Sequence, residues 1–167
     1  MKILIVNDDG MHAAALPHLI RWARKLGEVT CVVPKTEQSG KSQAIDFLHP
    51  VEIKEVPLSV DIRVWAMDST PADCVRFGAT GLKKDYDLIL SGINRGYNLG
   101  ADIVYSGTVG AIFEGIRQGI PGIALFVALW LAMSHQSRKQ CRRQSLINYI
   151  PLLVLLLIVN RRTAESN

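Results

Sequence analysis

Three cysteines in 167 residues, Cys31, Cys74 and Cys141, are too few and too scattered to frame a disulfide scaffold, and none falls in a CxxC pattern that would hold a metal. Their usage fits a reducing compartment, and a cytoplasmic location is expected. A secretory leader is not expected either, since one lysine and four apolar residues run straight into Asn7-Asp8-Asp9. No apolar run reaches the roughly 20 residues of a membrane-spanning helix, so no membrane span is expected. An excess of one charge is lacking where it would matter. Residues 1–126 carry 13 Lys+Arg against 14 Asp+Glu, whereas residues 127–167 carry 6 against 1, so the overall +4 belongs to the tail. A binding face for a nucleic-acid duplex on the main body is therefore not expected.

Several catalytic signatures are absent as well. The four histidines, His12, His18, His49 and His135, show no HExxH spacing and form no legible serine–histidine–acid triad. The segment "SGKS" fails as a P-loop, because the first glycine of GxxxxGK[ST] would fall on Lys35.

With 49% apolar residues, the chain has the size and composition of one globular domain. Lys2 to Val6 reads as a buried strand, and Leu16, Leu19, Ile20, Ala23 and Leu26 recur as one face of a helix that Gly27 ends. Val29 to Val33 is a second strand, so a parallel crossover opens the chain. The segment from Ile45 to Val64 is expected to hold hairpin strands, and Arg63 to Met67 is a further strand. Ser69 or Thr70 can cap a helix that starts at Pro71, with Val75, Gly78, Ala79 and Leu82 inward. Asp87 to Leu90 is a strand that enters a glycine-rich loop from Ser91 to Thr108. A helix from Thr108 to Gln118 follows, with Val109, Ile112, Phe113 and Ile116 inward, and Ile120 to Phe126 returns as a strand. This alternation specifies an α/β domain with a mainly parallel, three-layer sheet, whose ligands bind beyond the carboxyl ends of the strands. After Phe126 the pattern changes to a basic stretch and then ten residues, Ile150 to Val159, read as a buried strand or core helix.

Three polar loops fall after strand ends: Asn7 to Gly10, Glu37 to Ser42, and Ser91 to Thr108. Asp8 and Asp9 repel unless a cation or a proton separates them, which makes them candidate ligands of a hard divalent ion. Capping of the following helix is the equal alternative. Ser39 and Ser42 alone read as hydroxyls of a solvated turn. Asn94 and Asn98 offer neutral amides to a metal or to phosphate oxygens, and Ser106-Gly107-Thr108 stands at a helix N-terminus, which favours an anion or simply an N-cap. A cation site facing an anion site points to metal-assisted phosphoryl chemistry.

The segments "ILIVNDDG", "EQSGKS", "STPADCV", "SGINRGYNLGADIVYSGTVGA" and "GIPGIA", in this order, resemble the SurE survival-protein nucleotidases over about residues 1–125. The resemblance implies a Rossmann-like three-layer α/β/α domain and a phosphoric monoester hydrolase of the 5′-nucleotidase or acid-phosphatase type. Its substrates would be nucleoside 5′- or 3′-monophosphates. It implies one divalent ion, Mg²⁺ or Mn²⁺, held by Asp8, Asp9, Ser39 and Asn94. Asn98, Ser106, Gly107 and Thr108 would hold the phosphate, and Asp8 or Asp9 would act in catalysis. A homodimer or tetramer is implied too. The family's Ala-Pro-Gly-like turn is Ala13-Ala14-Ala15 here, which should mainly affect the helix start. Residues 1–126 are thus expected to form the nucleotidase core, and residues 127–167 a divergent tail, truncated or altered in frame. The alternative function is a non-catalytic nucleotide- or metal-binding module.

Overall fold

The first apolar run forms β1, Lys2–Val6, and all of Ile3, Leu4, Ile5 and Val6 are fully buried. A strand buried on both faces needs a layer on each side, which is why the run is continuous rather than alternating. In the computed structural model, which describes residues 1–58, 60–127 and 157–159, both layers are present. Leu4 and Val6 face one core with Cys74, Val75, Val109 and Ile112, whereas Ile3 and Ile5 face the other with Leu16, Leu19, Ile20 and Ala23.

Helix α1, Leu16–Ala23, leads to β2, Glu28–Pro34, which pairs parallel with β1. Then β3, Ile53–Val56, and β4, Val64–Met67, pair antiparallel, and β4 lies parallel to β2. Helix α2, Pro71–Arg76, continues into a π-helical turn at Phe77–Gly81. Strand β5, Leu88–Arg95, pairs parallel with β1, and β6, Gly122–Val127, parallel with β5. Between them stand a short helix α3, Asp102–Tyr105, and the longer α4, Gly107–Arg117. Strand β7, Leu157–Val159, closes the edge antiparallel to β6, giving the order β3-β4-β2-β1-β5-β6-β7. The parallel strands follow the doubly wound order of a Rossmann-like sheet, and it reverses direction between β1 and β5. This is the three-layer α/β/α fold expected from the strand–helix alternation.

Three local expectations are corrected. Helix α1 ends at Ala23, so Leu26 falls outside it and is exposed. The segment from Ser91 to Arg95 is not loop but the second half of β5, irregular between Ser91 and Asn94, where Gly92 passes close to the Leu125 carbonyl. Phe113 is exposed, while Glu114 beside it is buried. The Thr70 cap holds, its hydroxyl accepting from Asp73 N–H, and Pro71 opens α2. His135, Cys141 and all of the 127–167 tail except Val127 and β7 lie outside the described residues.

Candidate active site

At the switch point between β1 and β5, Asn7-Asp8-Asp9-Gly10 leaves the sheet at its carboxyl end, while the neighbouring β5 runs on past the end of β1 to carry Asn94. A tight turn closes directly after β1. The Asn7 amide donates to the Gly10 carbonyl at 3.0 Å, and Gly10 N–H donates back to Asn7 Oδ1 at 3.2 Å. Gly10 has φ +84°, and a Cβ there would come within 2.9 Å of the Thr36 backbone. Glycine is thus required both by conformation and by the approach of the next loop.

Asp8 does not cap the helix that follows it. Helix α1 begins after Ala15, with no side-chain cap and with Pro17 in its first turn. Asp8 reaches instead across 100 residues to α4. Its Oδ1 accepts from the Thr108 hydroxyl at 2.6 Å and its Oδ2 from Thr108 N–H at 3.1 Å. A Cβ on Gly107 would lie 2.9 Å from Asp8 Cβ, so glycine is what admits the carboxylate to the helix end. Thr108 is fully buried, and its hydroxyl is spent on Asp8.

The remaining expected residues arrive from three loops. Gln38 N–H donates to the Asp8 carbonyl at 2.7 Å, which draws the loop carrying Ser39 onto β1's end. Ser39 itself is exposed and donates to Glu37 Oε1 at 2.8 Å. Asn94 is buried, and its amide nitrogen donates to the Arg95 and Gly96 carbonyls, each at 3.3 Å, leaving its side-chain oxygen uncommitted by these bonds. Asn98 donates to Ser106 Oγ at 2.8 Å, and Ser106 caps α4 by accepting from Val109 N–H at 3.2 Å.

Electrostatics set the site's character. Burial raises the Asp8 carboxyl pKa, the Thr108 bonds partly offset this, and Glu37 adds to the rise. Burial likewise raises Asp9, the neighbouring Asp8 charge adds to it, and Arg95 opposes it. Three carboxyl groups, Asp8, Asp9 and Glu37, thus act on one another here against the single guanidinium of Arg95. Among the described residues no three His, Cys, Asp or Glu side chains cluster as metal ligands, so the available donors are two carboxylates, an amide oxygen and a hydroxyl. That all-oxygen set fits a hard ion such as Mg²⁺ or Mn²⁺ rather than zinc. A cavity of about 210 Å³ opens beside it, lined in part by Asp9, His12, Glu37 and Arg95. Glu37 and Arg95 were not among the expected site residues; a lone charged residue in a polar loop carries no spacing signal. A larger cavity, about 590 Å³, lies at the β3–β4 connection, away from this chemistry.

Fold and site together define a doubly wound α/β protein with an acidic, oxygen-donor centre at its switch point, abutting a helix N-terminus. The profile of the family Survival protein SurE matches residues 3–160, reaching into the segment set apart above as a tail, and the chain belongs to that family. It is 45% identical over 126 residues to the 5′-nucleotidase SurE of Thermosipho melanesiensis, covering 75% of this chain and 49% of that one. To its Protochlamydia amoebophila counterpart it is 48% identical over 124 residues, covering 73% and 48%. The crystal structure of the SurE protein from Aquifex aeolicus superposes with a TM-score of 0.70 at 37% identity, over 84% of this chain and 57% of that one. The chain spans about half the length of the curated relatives it matches. No helix among the described residues is long and apolar enough to cross a membrane.

Proposed function

We propose that the chain is a metal-dependent phosphomonoesterase that releases phosphate from nucleoside 5′- or 3′-monophosphates. The observation that carries this reading is the Asp8–Asp9 pair at the switch point, with Asp8 locked to the N-terminus of α4. The relatives named 5′-nucleotidase support the substrate class. Asp8, Asp9, Ser39 and Asn94 would hold one divalent ion. When bound, such an ion supplies Lewis-acid polarisation of a phosphoryl oxygen and a water of lowered pKa.

The chain's own groups divide the rest of the work. Asp9, half-buried with its carboxyl pKa raised, orients the attacking water, accepts its proton as the new P–O bond forms, and returns it to the nucleoside oxygen that departs as the ester P–O bond breaks. Asp8 is held rigid by Thr108 and serves as the fixed ligand. Ser106, Gly107 and the Asn98 amide, at and beside the α4 N-terminus, receive the phosphate oxygens, where helix dipole and donors favour developing negative charge. Thr108 contributes to the phosphate site through its hold on Asp8. The test is phosphate release from nucleoside monophosphates by the wild-type chain and by Asp9→Ala. Release by wild type and a loss of at least about 100-fold in the variant are expected. Nucleotide binding without release at saturating Mn²⁺ would instead make the chain a binding module.

A further inference from the structure

Glu114 lies on α4 well away from the acidic pair, yet it is only 1% exposed. A buried carboxylate is costly unless its oxygens are satisfied, and here they are. Arg117 reaches it through Nη2 at 2.7 Å and Nε at 3.0 Å, and Gln118, the C-cap of the same helix, at 2.9 Å. Arg76 of α2 approaches to 3.6 Å. The one hydrogen-bond donor among the described residues that comes from outside α4 and its C-cap is Gln43, at 3.1 Å, and it belongs to the loop that carries Ser39.

That loop is fastened at successive residues. Ser42 N–H donates to the Tyr105 carbonyl at 3.0 Å and its hydroxyl to the Val104 carbonyl at 2.7 Å. The Ala44 carbonyl accepts from Thr70 Oγ1 at 2.6 Å, and Asp46 N–H donates to Asp73 at 2.9 Å. Ser42 sits at φ +53°, a conformation that a non-glycine residue keeps only where its surroundings hold it. Four residues earlier, Gln38 N–H is bonded to the Asp8 carbonyl, so Ser39 stands between a fastened stretch and the acidic pair.

We infer that Glu114 is a positioning residue for the metal site: through Gln43 it holds the Ser39 loop against Asp8 and Asp9. This rests on the proposed metal-binding role of Ser39. Two features support a positioning role over simple stability. Arg117 and Arg76 already balance the Glu114 charge, and Gln118 adds a further hydrogen bond, so the neutral Gln43 amide is not what makes the buried carboxylate tolerable. Gln43 is also only partly buried, so its replacement leaves the core intact.

The experiment compares wild type, Gln43→Glu, Glu114→Gln and the double swap in the full chain. Gln43→Glu sets two carboxylates against each other, whereas the swap restores one carboxylate–amide bond with the partners exchanged. Two quantities are read: amide hydrogen exchange over residues 36–44 against that of β1, and the Mn²⁺ dissociation constant by calorimetry. Gln43→Glu is expected to speed exchange over 36–44 but not in β1, and to weaken Mn²⁺ binding roughly fivefold. The swap should return both to within about twofold of wild type. Unchanged exchange in Gln43→Glu, faster exchange with unchanged Mn²⁺ affinity, or a swap no better than the single variant would each overturn the inference. A wild-type chain that binds no Mn²⁺ would instead overturn the metal site itself, and the positioning role with it. The Gln43→Glu and swap arms decide the outcome on their own.

Discussion

Asp9 and Glu114 are both acidic side chains in a folded interior, but their surroundings drive them in opposite directions. At Asp9, burial and the charge of Asp8 raise the carboxyl pKa. A carboxyl whose folded pKa lies above its unfolded one costs stability at neutral pH, and the penalty disappears as pH falls and the group protonates. Asp9→Asn should therefore raise the thermal midpoint of the chelator-treated chain at pH 7, while abolishing Mn²⁺ binding. A lowered midpoint would show that Asp9 is already compensated by the fold. At Glu114, burial also raises the pKa, but hydrogen bonds from Arg117, Gln118 and Gln43 outweigh it and hold it below the ordinary value. Its stabilising contribution is fully present above the unfolded glutamate pKa and is lost as pH falls through the lowered folded value. In urea titrations stepped downward from about pH 5, the Glu114→Gln chain should lose less stability than wild type. Equal losses would exclude this assignment. Of these residues only the Asp8–Asp9 pair was legible beforehand, because adjacent like charges after a strand are a local anomaly. Glu114 was not, since a single charge in an amphipathic helix ordinarily faces solvent, and its partners come from elements 71 and 38 residues away along the chain at Gln43 and Arg76.

At the scale of elements, α4 organises the site from its N-terminal end and its flank. Its first turn takes Asp8, and its flank receives the Ser39 loop over Gly110, where a Cβ would fall 2.0 Å from the Ser42 carbonyl oxygen. Alanine normally favours a helix over glycine by about 1 kcal/mol. Here the clash should win, so Gly110→Ala is expected to destabilise the chain by about 1–3 kcal/mol in urea unfolding. A stabilised variant would mean that the loop yields freely. Element order and type were largely readable from local signals: the Thr70–Pro71 helix start and the continuous β1 run. The second half of β5 was hidden because Gly92 and the irregular pairing imitate a loop, and α1's early end was hidden because Leu26 keeps the helical spacing. Neither error moved the site, since the first concerns only the C-terminal end of α1 and the second leaves Asn94 next to the last residue of β5.

For the molecule as a whole, the sheet order brings together Asn7 to Gly10, the Ser39 loop, Asn94 and the α4 N-terminus at one switch point. The aspartate pair, Asn94 and the α4 N-terminus stand out by their residue types and Ser39 only through the family resemblance, yet the bond that joins Asp8 to Thr108 spans 100 residues and has no sequence pattern. Only the parallel topology, which sends successive strands out at the same edge, predicts that such segments meet. The account's central claim is that this meeting point is a catalytic metal centre. Its most direct test is the Mn²⁺ dependence of phosphate release from a nucleoside monophosphate by the chelator-stripped chain. The account predicts no release without added ion and a saturable rise as Mn²⁺ is restored, with Asn94→Ala needing more Mn²⁺ for the same rate. Release that is undiminished by the chelator, or that never appears at any Mn²⁺ concentration, would contradict it.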